Sequence, residues 1–342
     1  MSDTVVVVGG GPGGLRCAKL LADCGARIVL LEKNSRIGPK VCAGGITEKG
    51  LLAHIPRQLI EKSFTDQVIE THRQLCRYHN DTPLIATVNR TALGAHMARE
   101  ATTSGVRIIK SARVTSITNH SVHYVHNNKE HELRYHFLIG ADGALSPVRS
   151  FCRVPSRHFG VGIKFTIEAA FPEMVWNFDP YRFQSGYSWI FPHAATASVG
   201  VYRCGTGLSP VQLRARLSQW LADKKIDVGN SSLKAARVNC DYRGFQFGRC
   251  FLVGEAAGLV SPITGEGIYP ALVSAQEVSR LIVDPHYEPK LLWAMVKKYR
   301  MHRILHTIAN LHTGLTFVLS ECFVQALKRR VISPAALEMA TG

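Results

Sequence analysis

A chain of 342 residues, of which 46% are hydrophobic and 19% charged, can bury a sizeable core in two lobes, so an intrinsically disordered protein is excluded. The formal net charge of +16 is compatible with nucleic acid, an anionic membrane surface or acidic small molecules as partners. No nucleic-acid-binding motif and no dense basic run accompany that charge, so nucleic acid is not expected as a partner.

The cysteines and the N-terminal residues indicate in which cellular compartment the protein is expected. Nine cysteines are scattered along the chain without a Cys-x-x-Cys pair, which argues against a secreted disulfide framework and a structural zinc site. The histidines show no metalloprotease-type spacing, so no metal site is predicted. The apolar run at residues 5–8 is short and lacks a basic leader, unlike a signal peptide. We therefore expect a cytoplasmic protein, with peripheral membrane association as an alternative.

The first elements are predicted to form a βαβ unit. Residues 4–8 are β-branched and apolar, as in a buried parallel strand, and a glycine-rich turn follows at residues 9–14. Residues 15–24 then carry helix-forming side chains, and residues 27–31 form a second apolar strand that closes on Glu32. This order is typical of a parallel sheet with a crossover helix.

Within this unit Gly9, Gly11 and Gly14 match the pattern G-x-G-x-x-G. In such a turn the first glycine permits the tight bend, the second admits a pyrophosphate, and the third lets helix and strand pack closely. The helix N-terminus offers N–H groups to the phosphates, and Glu32 can accept hydrogen bonds from ribose hydroxyls. The unit predicts dinucleotide binding without deciding between NAD and FAD. The predicted contact residues here are Gly9, Gly11, Pro12, Gly13, Gly14, Glu32 and Lys33.

The later elements alternate between two regions. Residues 51–90 are mixed and give no clear pattern. Apolar periodicity then predicts a helix at 92–103, strands at 106–109 and 114–117, an exposed hairpin at 122–133 and a strand at 137–139. Residues 158–203 alternate apolar and polar positions and predict antiparallel strands. After them come a helix at 213–223, a strand returning to the first sheet at 251–254, a helix at 267–281 and helical structure from residue 290.

Two further motifs follow predicted strands. Gly-Ala-Asp-Gly occupies residues 140–143, and Gly-Glu-Ala-Ala-Gly occupies residues 254–258. A second glycine turn, Thr-Gly-Glu-Gly-Ile at residues 264–268, opens the next helix. A carboxylate beside one part of a ligand and a helix N-terminus beside another suit an extended dinucleotide whose flavin ring lies at the second turn.

Taken in order, these motifs resemble those of the p-hydroxybenzoate hydroxylase-type flavoproteins. Two local patterns narrow the resemblance: Lys-Val-Cys-Ala-Gly-Gly at residues 40–45 and Tyr-Ser-Trp-Ile-Phe-Pro at residues 187–192. They are similar to the geranylgeranyl reductase family, whose members saturate isoprenoid C=C bonds using FAD. The similarity runs from residue 4 to about residue 283.

The resemblance implies an α/β fold in which a Rossmann-like FAD-binding domain is interleaved with an antiparallel β-sheet substrate domain and followed by a helical C-terminus. The expected FAD-binding segments are residues 1–75, 88–155 and 240–285. The expected substrate segments are 76–87 and 156–239, with the helical region at 286–342. The resemblance adds cofactor-binding residues: Lys40, Cys42, Ala43, Gly44, Gly45, Arg90, Val114, Asp142, Glu255, Gly265, Gly267 and Ile268.

Three residues are candidates for catalysis. A thiol near a flavin can deliver a proton, so Cys42 is a candidate donor, although a packed small residue or one half of a disulfide are alternatives. Tyr187 and Trp189 stand at alternate positions and share one face of a strand with Phe191. That face is either ordinary sheet core or the wall of a pocket for a flavin or an apolar chain, and the resemblance favours the pocket.

The C-terminal stretch from Ile304 to Leu327 carries a single formal charge, Glu321, and lies between clusters of Lys and Arg. Its length permits a membrane-spanning helix, but its polar residues argue against one. A helix packed on the core is the main interpretation. An amphipathic cover of a lipid pocket, or a contact with a membrane surface, is the alternative.

The sequence therefore predicts an FAD-dependent reductase of prenyl C=C bonds with a hydrophobic isoprenoid substrate. A flavin monooxygenase or halogenase of the same fold is one alternative, and an electron-transfer flavoprotein with a redox partner protein is another. No second nucleotide fingerprint follows residue 45, so the electron donor is left open between NADPH, NADH and a protein such as a ferredoxin.

Overall fold

The computed structural model describes residues 4–47 and 55–340. Its strands, numbered along the chain, are β1 (Thr4–Val8), β2 (Arg27–Leu31), β3 (Gly45–Thr47), β4 (Ile60–Phe64), β5 (Asp66–Thr71), β6 (Leu75–His79), β7 (Ile85–Val88), β8 (Arg107–Ile109), β9 (Arg113–Ile117), β10 (Ser121–His126), β11 (Lys129–Arg134), β12 (Phe137–Gly140), β13 (Phe159–Ile167), β14 (Met174–Phe178), β15 (Tyr187–Pro192), β16 (Ala197–Cys204), β17 (Lys234–Asn239), β18 (Gln246–Phe247) and β19 (Cys250–Leu252).

The α-helices are α1 (Pro12–Asp23), α2 (Arg90–Thr103), α3 (Pro147–Phe151), α4 (Pro180–Phe183), α5 (Pro210–Asp223), α6 (Gly254–Ala257), α7 (Ile268–Val283), α8 (Lys290–Ala309) and α9 (Thr313–Lys328). Short 3-10 turns lie at Arg57–Leu59 and Pro334–Leu337.

The first sheet has the strand order β18-β19-β12-β1-β2-β8 and is parallel except for the β18–β19 pair. Val5 to Val8 lie at its centre and are almost fully buried in a core that side chains of helices α1, α2 and α7 and of the small sheet β9–β11 share. Helix α1 packs against α2 and α7. The carboxyl ends of β1, β2, β12 and β19 therefore meet at one edge, where ligands bind in folds of this kind. The predicted βαβ unit and the return of the chain at residue 250 are confirmed.

The second sheet has the order β17-β13-β16-β15-β14-β5-β6 and is antiparallel except for the β14–β5 pair. The predicted antiparallel strands within residues 158–203 are confirmed. Strands β5 and β6 come from the stretch that gave no clear pattern, and they bring the chain into this sheet at Asp66. Helix α5 covers one face with Leu213, Leu217 and Trp220. The division into domain segments stays a prediction.

Two smaller sheets complete the fold. Strands β3, β7 and β4 form one, which joins the segment after residue 44 to the second lobe. Strands β11, β10 and β9 form the other, and β10–β11 is the hairpin predicted at residues 122–133. The FAD-binding-type α/β architecture with a helical C-terminus, expected from the sequence, is thus the one observed.

The C-terminal helices differ from the main expectation. The stretch from Ile304 to Leu327 is broken at Asn310, and the His312 side chain caps the second helix by accepting a hydrogen bond from the Gly314 N–H at 3.0 Å. The expectation that this stretch packs on the core is wrong for an apolar stripe of four residues, which are exposed: Ile304, Ile308, Leu311 and Val318. Within residues 4–47 and 55–340, no helix is long and apolar enough to cross a membrane.

Candidate active site

The first glycine turn leaves one opening at the edge of the parallel sheet. A Cβ on Gly9, which has φ +105°, would lie 2.3 Å from the Ala141 carbonyl oxygen, and one on Gly14 would lie 2.0 Å from the Gly9 oxygen. Neither position has room for a side chain. A Cβ on Gly11 would meet its nearest neighbour only at 4.0 Å. Gly9 and Gly14 therefore serve the fold, whereas Gly11 leaves the space that a pyrophosphate needs.

Helix α1 begins at that opening. Its N-cap is Gly11, no side chain caps it, and no acidic residue lies in its first turn. The N–H groups of the first turn and the positive end of the helix dipole are thus available to an anion. This arrangement fits the phosphates of a dinucleotide.

Glu32 ends β2 beside the same turn and is buried. Its Oε2 accepts a hydrogen bond from the Gly10 N–H at 2.6 Å, and its Oε1 accepts from the Asn34 backbone and side chain at 2.8 and 2.7 Å. The carboxylate is therefore fixed in place, and Oε2 keeps a lone pair for a ribose hydroxyl. The neighbouring Lys33 is exposed.

Asp142 lies at the end of β12 with an unusual carboxyl environment. Its Oδ2 accepts from the Val148 N–H at 3.2 Å, while its Oδ1 is buried and has no partner among the described residues. Burial raises the pKa of Asp142 to about 6. An unpartnered buried oxygen at the edge of the sheet is a feature that a bound cofactor's donor would satisfy.

A cavity of about 260 Å³ connects the two lobes. Its polar end lies at the glycine turns and its other end is aromatic. The predicted residues that line it are Gly11, Pro12, Gly13, Lys40, Cys42, Ala43, Gly45, Arg90, Tyr187, Trp189, Glu255, Gly265, Gly267 and Ile268.

Seven predicted residues do not line this cavity: Gly9, Gly14, Glu32, Lys33, Gly44, Val114 and Asp142. Val114 lies in β9 opposite Tyr124, in the small sheet, and its side chain packs on the core of the first lobe. Its predicted backbone contact with adenine stays a prediction. Gly44 lies in the turn behind the cavity wall, where it is buried.

Charged side chains surround the polar end. Lys40 and Glu255 form an ion pair that joins the segment after β2 to helix α6. Arg90 opens helix α2, and its Nε is buried without a partner among the described residues. Both cations are placed where an anionic ligand would lie.

The aromatic end of the cavity contains more rings than the sequence predicted. The Tyr187 hydroxyl donates to the Thr264 carbonyl at 2.5 Å, and burial raises the pKa of Tyr187, so it keeps its proton. Trp189 donates to Ser198 Oγ at 3.1 Å. These bonds fix both rings against the cavity. The wall also contains rings that sequence reasoning missed: Trp176, Phe178, Tyr202 and Phe323. The alternate spacing of Trp176 and Phe178 in β14 was a signal that could have found two of them.

Cys42 lies in the turn between the two ends of the cavity. Its sulfur accepts a hydrogen bond from the Gly44 N–H at 3.4 Å. All nine cysteines are free, so the structure gives Cys42 no disulfide partner. Cys42 is one of the residues that line the cavity.

Glu266 is a cavity residue that the sequence indicated only as part of a turn. Its Oε2 accepts from the Met339 N–H at 2.7 Å, and its Oε1 is buried without a partner among the described residues. Although the residue as a whole is half-buried, burial of the carboxyl group raises its pKa to about 7. Pro334, Leu337 and Glu338 line the cavity nearby, so the C-terminal segment forms part of its wall.

Known proteins share this fold and part of this sequence. Residues 2–167 match the family described as FAD binding domain. A digeranylgeranylglycerophospholipid reductase of Methanopyrus kandleri is 27% identical over 340 residues, which cover 88% of this chain and 85% of that protein. A solved geranylgeranyl bacteriochlorophyll reductase-like protein from Thermoplasma acidophilum superposes with a TM-score of 0.80 at 20% identity, covering 98% of this chain and 95% of that one.

A second solved structure carries a different name on the same architecture. The FAD-dependent myxobacterial chondrochloren halogenase has a TM-score of 0.68 at 16% identity and covers 96% of this chain and 90% of its own. Identities this low show the fold alone. Together the comparisons confirm the FAD-binding fold and the predicted resemblance to geranylgeranyl reductases.

Proposed function

Because this chain is an FAD-dependent oxidoreductase similar to geranylgeranyl reductases, we propose that it saturates C=C bonds of a prenyl chain, with reduced FAD supplying the hydride. The observation that carries this proposal is the continuous cavity, which runs from a dinucleotide-type glycine turn to an apolar aromatic end. Because the cofactor would occupy the end at the glycine turns, an apolar chain can reach the flavin only by lying among the aromatic rings of the other end.

The residues divide into two groups along that cavity. The turn at Gly11 to Gly14, the α1 N-terminus and Glu32 would hold the adenosine diphosphate part of FAD. Lys40, Arg90 and Glu255 would lie along the middle of the cofactor. The turn at Gly265 to Ile268, which opens helix α7 without a side-chain cap, would face the flavin.

The chemistry of the chain's own residues follows from this placement. Reduction of an alkene needs a proton on the carbon next to the one that accepts hydride. Cys42 would donate that proton from its thiol. Tyr187 and Trp189 would hold the prenyl chain against the turn, because hydrogen bonds at their far ends fix both rings.

The proposal also includes the donor of the electrons that reduce the flavin. NADPH or NADH, bound transiently, would reduce the flavin, and a redox partner protein is the alternative. An anaerobic titration separates these, since a nicotinamide donor bleaches the flavin without added protein.

A membrane surface would be the source of the substrate. The exposed apolar stripe on α8 and α9, with Arg300 and Arg303 exposed on the preceding turn, would rest on anionic lipid. We propose on this basis that the protein is cytoplasmic and peripheral to the membrane.

The test uses the FAD-loaded protein, reduced without oxygen and then mixed with lipids or quinones that carry geranylgeranyl chains. Flavin reoxidation with a mass gain of two hydrogens per double bond is the expected result. If bound FAD is reoxidised only when oxygen is admitted, and an aromatic substrate gains oxygen or halogen, the monooxygenase or halogenase alternative replaces the proposal. If reoxidation requires another protein, the electron-transfer alternative does.

A further inference from the structure

The turn that carries Cys42 is held by an unusual set of donors. Its successive carbonyl oxygens accept hydrogen bonds from three different parts of the fold. Lys164 Nζ donates to the Cys42 oxygen at 2.9 Å, His193 Nε2 donates to the Ala43 oxygen at 2.9 Å, and the Val88 N–H donates to the Gly44 oxygen at 3.0 Å. Two of these donors are side chains of the second lobe, so that lobe sets the position of the turn.

The proton inventory of His193 identifies it as a donor. A carbonyl oxygen can only accept, so the Nε2 atom facing Ala43 carries hydrogen. The Nδ1 atom lies 2.5 Å from Glu61 Oε2 in strand β4. Because Nε2 already carries hydrogen, a second proton lies between Nδ1 and the Glu61 carboxyl group, and this hydrogen bond fixes the orientation of the ring.

The glycines of the turn are explained by the same contact. A Cβ on Gly44, which has φ +87°, would lie 2.5 Å from His193 Cε1, and one on Gly45 would lie 2.7 Å from the Phe191 ring. The pair Gly44-Gly45 thus lets the His193 and Phe191 side chains close against the backbone.

Lys164 is placed unusually for a lysine. It lies in the middle of β13, lines the cavity, and burial lowers its pKa. Its ammonium group costs desolvation energy there, and the Cys42 carbonyl is its only hydrogen-bond acceptor among the described residues. A lysine with a lowered pKa that lines a cavity is a candidate for a functional role.

We propose that Lys164 and His193 are positioning residues that hold the Cys42 turn, and so the thiol, in one place against the cavity. The inference rests on the proposed function for its catalytic meaning. The claim that two side chains of the second lobe fix residues 42–45 does not depend on which substrate the protein reduces.

The first experiment measures hydrogen exchange of the FAD-bound protein, because it needs no turnover. In Lys164→Met and His193→Gln, amides in a peptide covering the turn should exchange about tenfold faster than in wild type. Lys164→Arg keeps a charged donor and should restore slow exchange. Peptides from β1 should not change.

Matched controls remove side-chain contacts elsewhere. Lys62→Met removes the 3.2 Å bond from Lys62 Nζ to the Phe171 carbonyl, and His96→Gln removes a half-buried imidazole whose Nε2 lies 3.4 Å from Glu100 Oε2 without a hydrogen bond. Both should leave exchange of the turn at the wild-type rate. Unchanged exchange in Lys164→Met and His193→Gln, or an equal increase in β1, overturns the proposal.

The second experiment is a double-mutant cycle on prenyl reduction. Lys164→Met alone should lower kcat about tenfold with KM within about twofold. In a Cys42→Ser background the same change should have no further effect on kcat, because it acts through the thiol. Additive losses would mean that Lys164 acts on something other than Cys42. If wild type reduces no prenyl compound, the proposed function fails while the exchange result still decides the positioning.

Discussion

The Met339 backbone N–H donates to Glu266 Oε2 at 2.7 Å, so the C-terminal segment is tied to the glycine turn that precedes helix α7. This bond joins the chain's end to a residue that lines the cavity. The C-terminal segment thereby forms the wall of the cavity beside the second glycine turn. Its attachment depends on the Glu266 carboxyl group, whose charge changes near neutral pH.

The pH dependence of that carboxyl group is the first prediction. Burial raises the pKa of Glu266 from an ordinary 4.5 to about 7, so the folded protein binds this proton more tightly than the unfolded chain does. Its contribution to the free energy of unfolding therefore falls as pH rises from about 4.5 to about 7. Glu266→Gln, which has no charge, should gain up to about 3 kcal/mol over wild type at pH 8 and almost nothing at pH 4.5.

Urea unfolding of the FAD-free proteins at both pH values measures this difference. Glu130→Gln, at an exposed position in β11, should differ from wild type by the same amount at both. A Glu266→Gln difference that does not grow with pH would show that folding does not raise the pKa of this carboxyl group.

The two glycines of the first turn should respond differently to alanine. Gly14→Ala places a Cβ 2.0 Å from a backbone oxygen, so the strand and helix must separate and the apoprotein should lose several kcal/mol of stability. Gly11→Ala meets nothing closer than 4.0 Å at an ordinary φ of −76°, so the apoprotein should unfold at nearly the wild-type temperature. Its Cβ occupies the pyrophosphate space, and the Kd for FAD should rise at least about tenfold.

Thermal unfolding and flavin fluorescence titration separate these effects. Equal FAD affinity in Gly11→Ala and wild type would place the pyrophosphate elsewhere.

Sequence patterns predicted those parts of the fold whose signals are local. The βαβ unit could be predicted because the spacing of Gly9, Gly11 and Gly14 and the apolar run before them lie within a few residues of one another. Strand β5 could not, because its pairing with β14 joins residues about one hundred positions apart. The exposed stripe on α8 and α9 has the apolar spacing of a buried helix face, so periodicity alone predicted the wrong environment.

The site residues divide in the same way, into those with a local sequence signal and those that depend on long-range contacts. Tyr187 and Trp189 were predicted from their own strand, whereas Lys164 and His193 acquire a role only when the second lobe meets the turn at Cys42. Glu266 lay inside a predicted motif, but its neighbour Met339 is 73 residues away in the chain. Contacts of that separation leave no periodic signal in a single sequence.

The Tyr187 hydroxyl supplies a third prediction. Tyr187→Phe removes the bond to the Thr264 carbonyl and keeps the ring, so it should cost about 1 kcal/mol of stability and loosen the turn at residues 264–268. Because that turn would face the flavin, FAD affinity should fall as well. Tyr181→Phe, at an exposed ring, should change neither quantity. Urea unfolding and flavin titration give the comparison, and a stability loss without any loss of FAD affinity would separate the turn from the cofactor.

The exposed stripe on the C-terminal helices supplies the last prediction. Ile304 and Leu311 are 61% and 73% exposed, and Arg300 and Arg303 are exposed one turn earlier. An apolar side chain that enters a membrane interface contributes about 1.5 kcal/mol, so the double change Ile304→Ser and Leu311→Ser should weaken binding to phosphatidylglycerol-containing vesicles at least about tenfold.

Vesicle sedimentation measures this affinity, and its matched control is Val211→Ser, since Val211 is 77% exposed on helix α5. That variant should bind as wild type does. Arg300→Gln with Arg303→Gln should weaken binding to anionic vesicles and reduce its salt dependence, because these cations act through charge. Binding that survives both double changes would mean that the stripe does not face the membrane, and that the isoprenoid enters the cavity from another side.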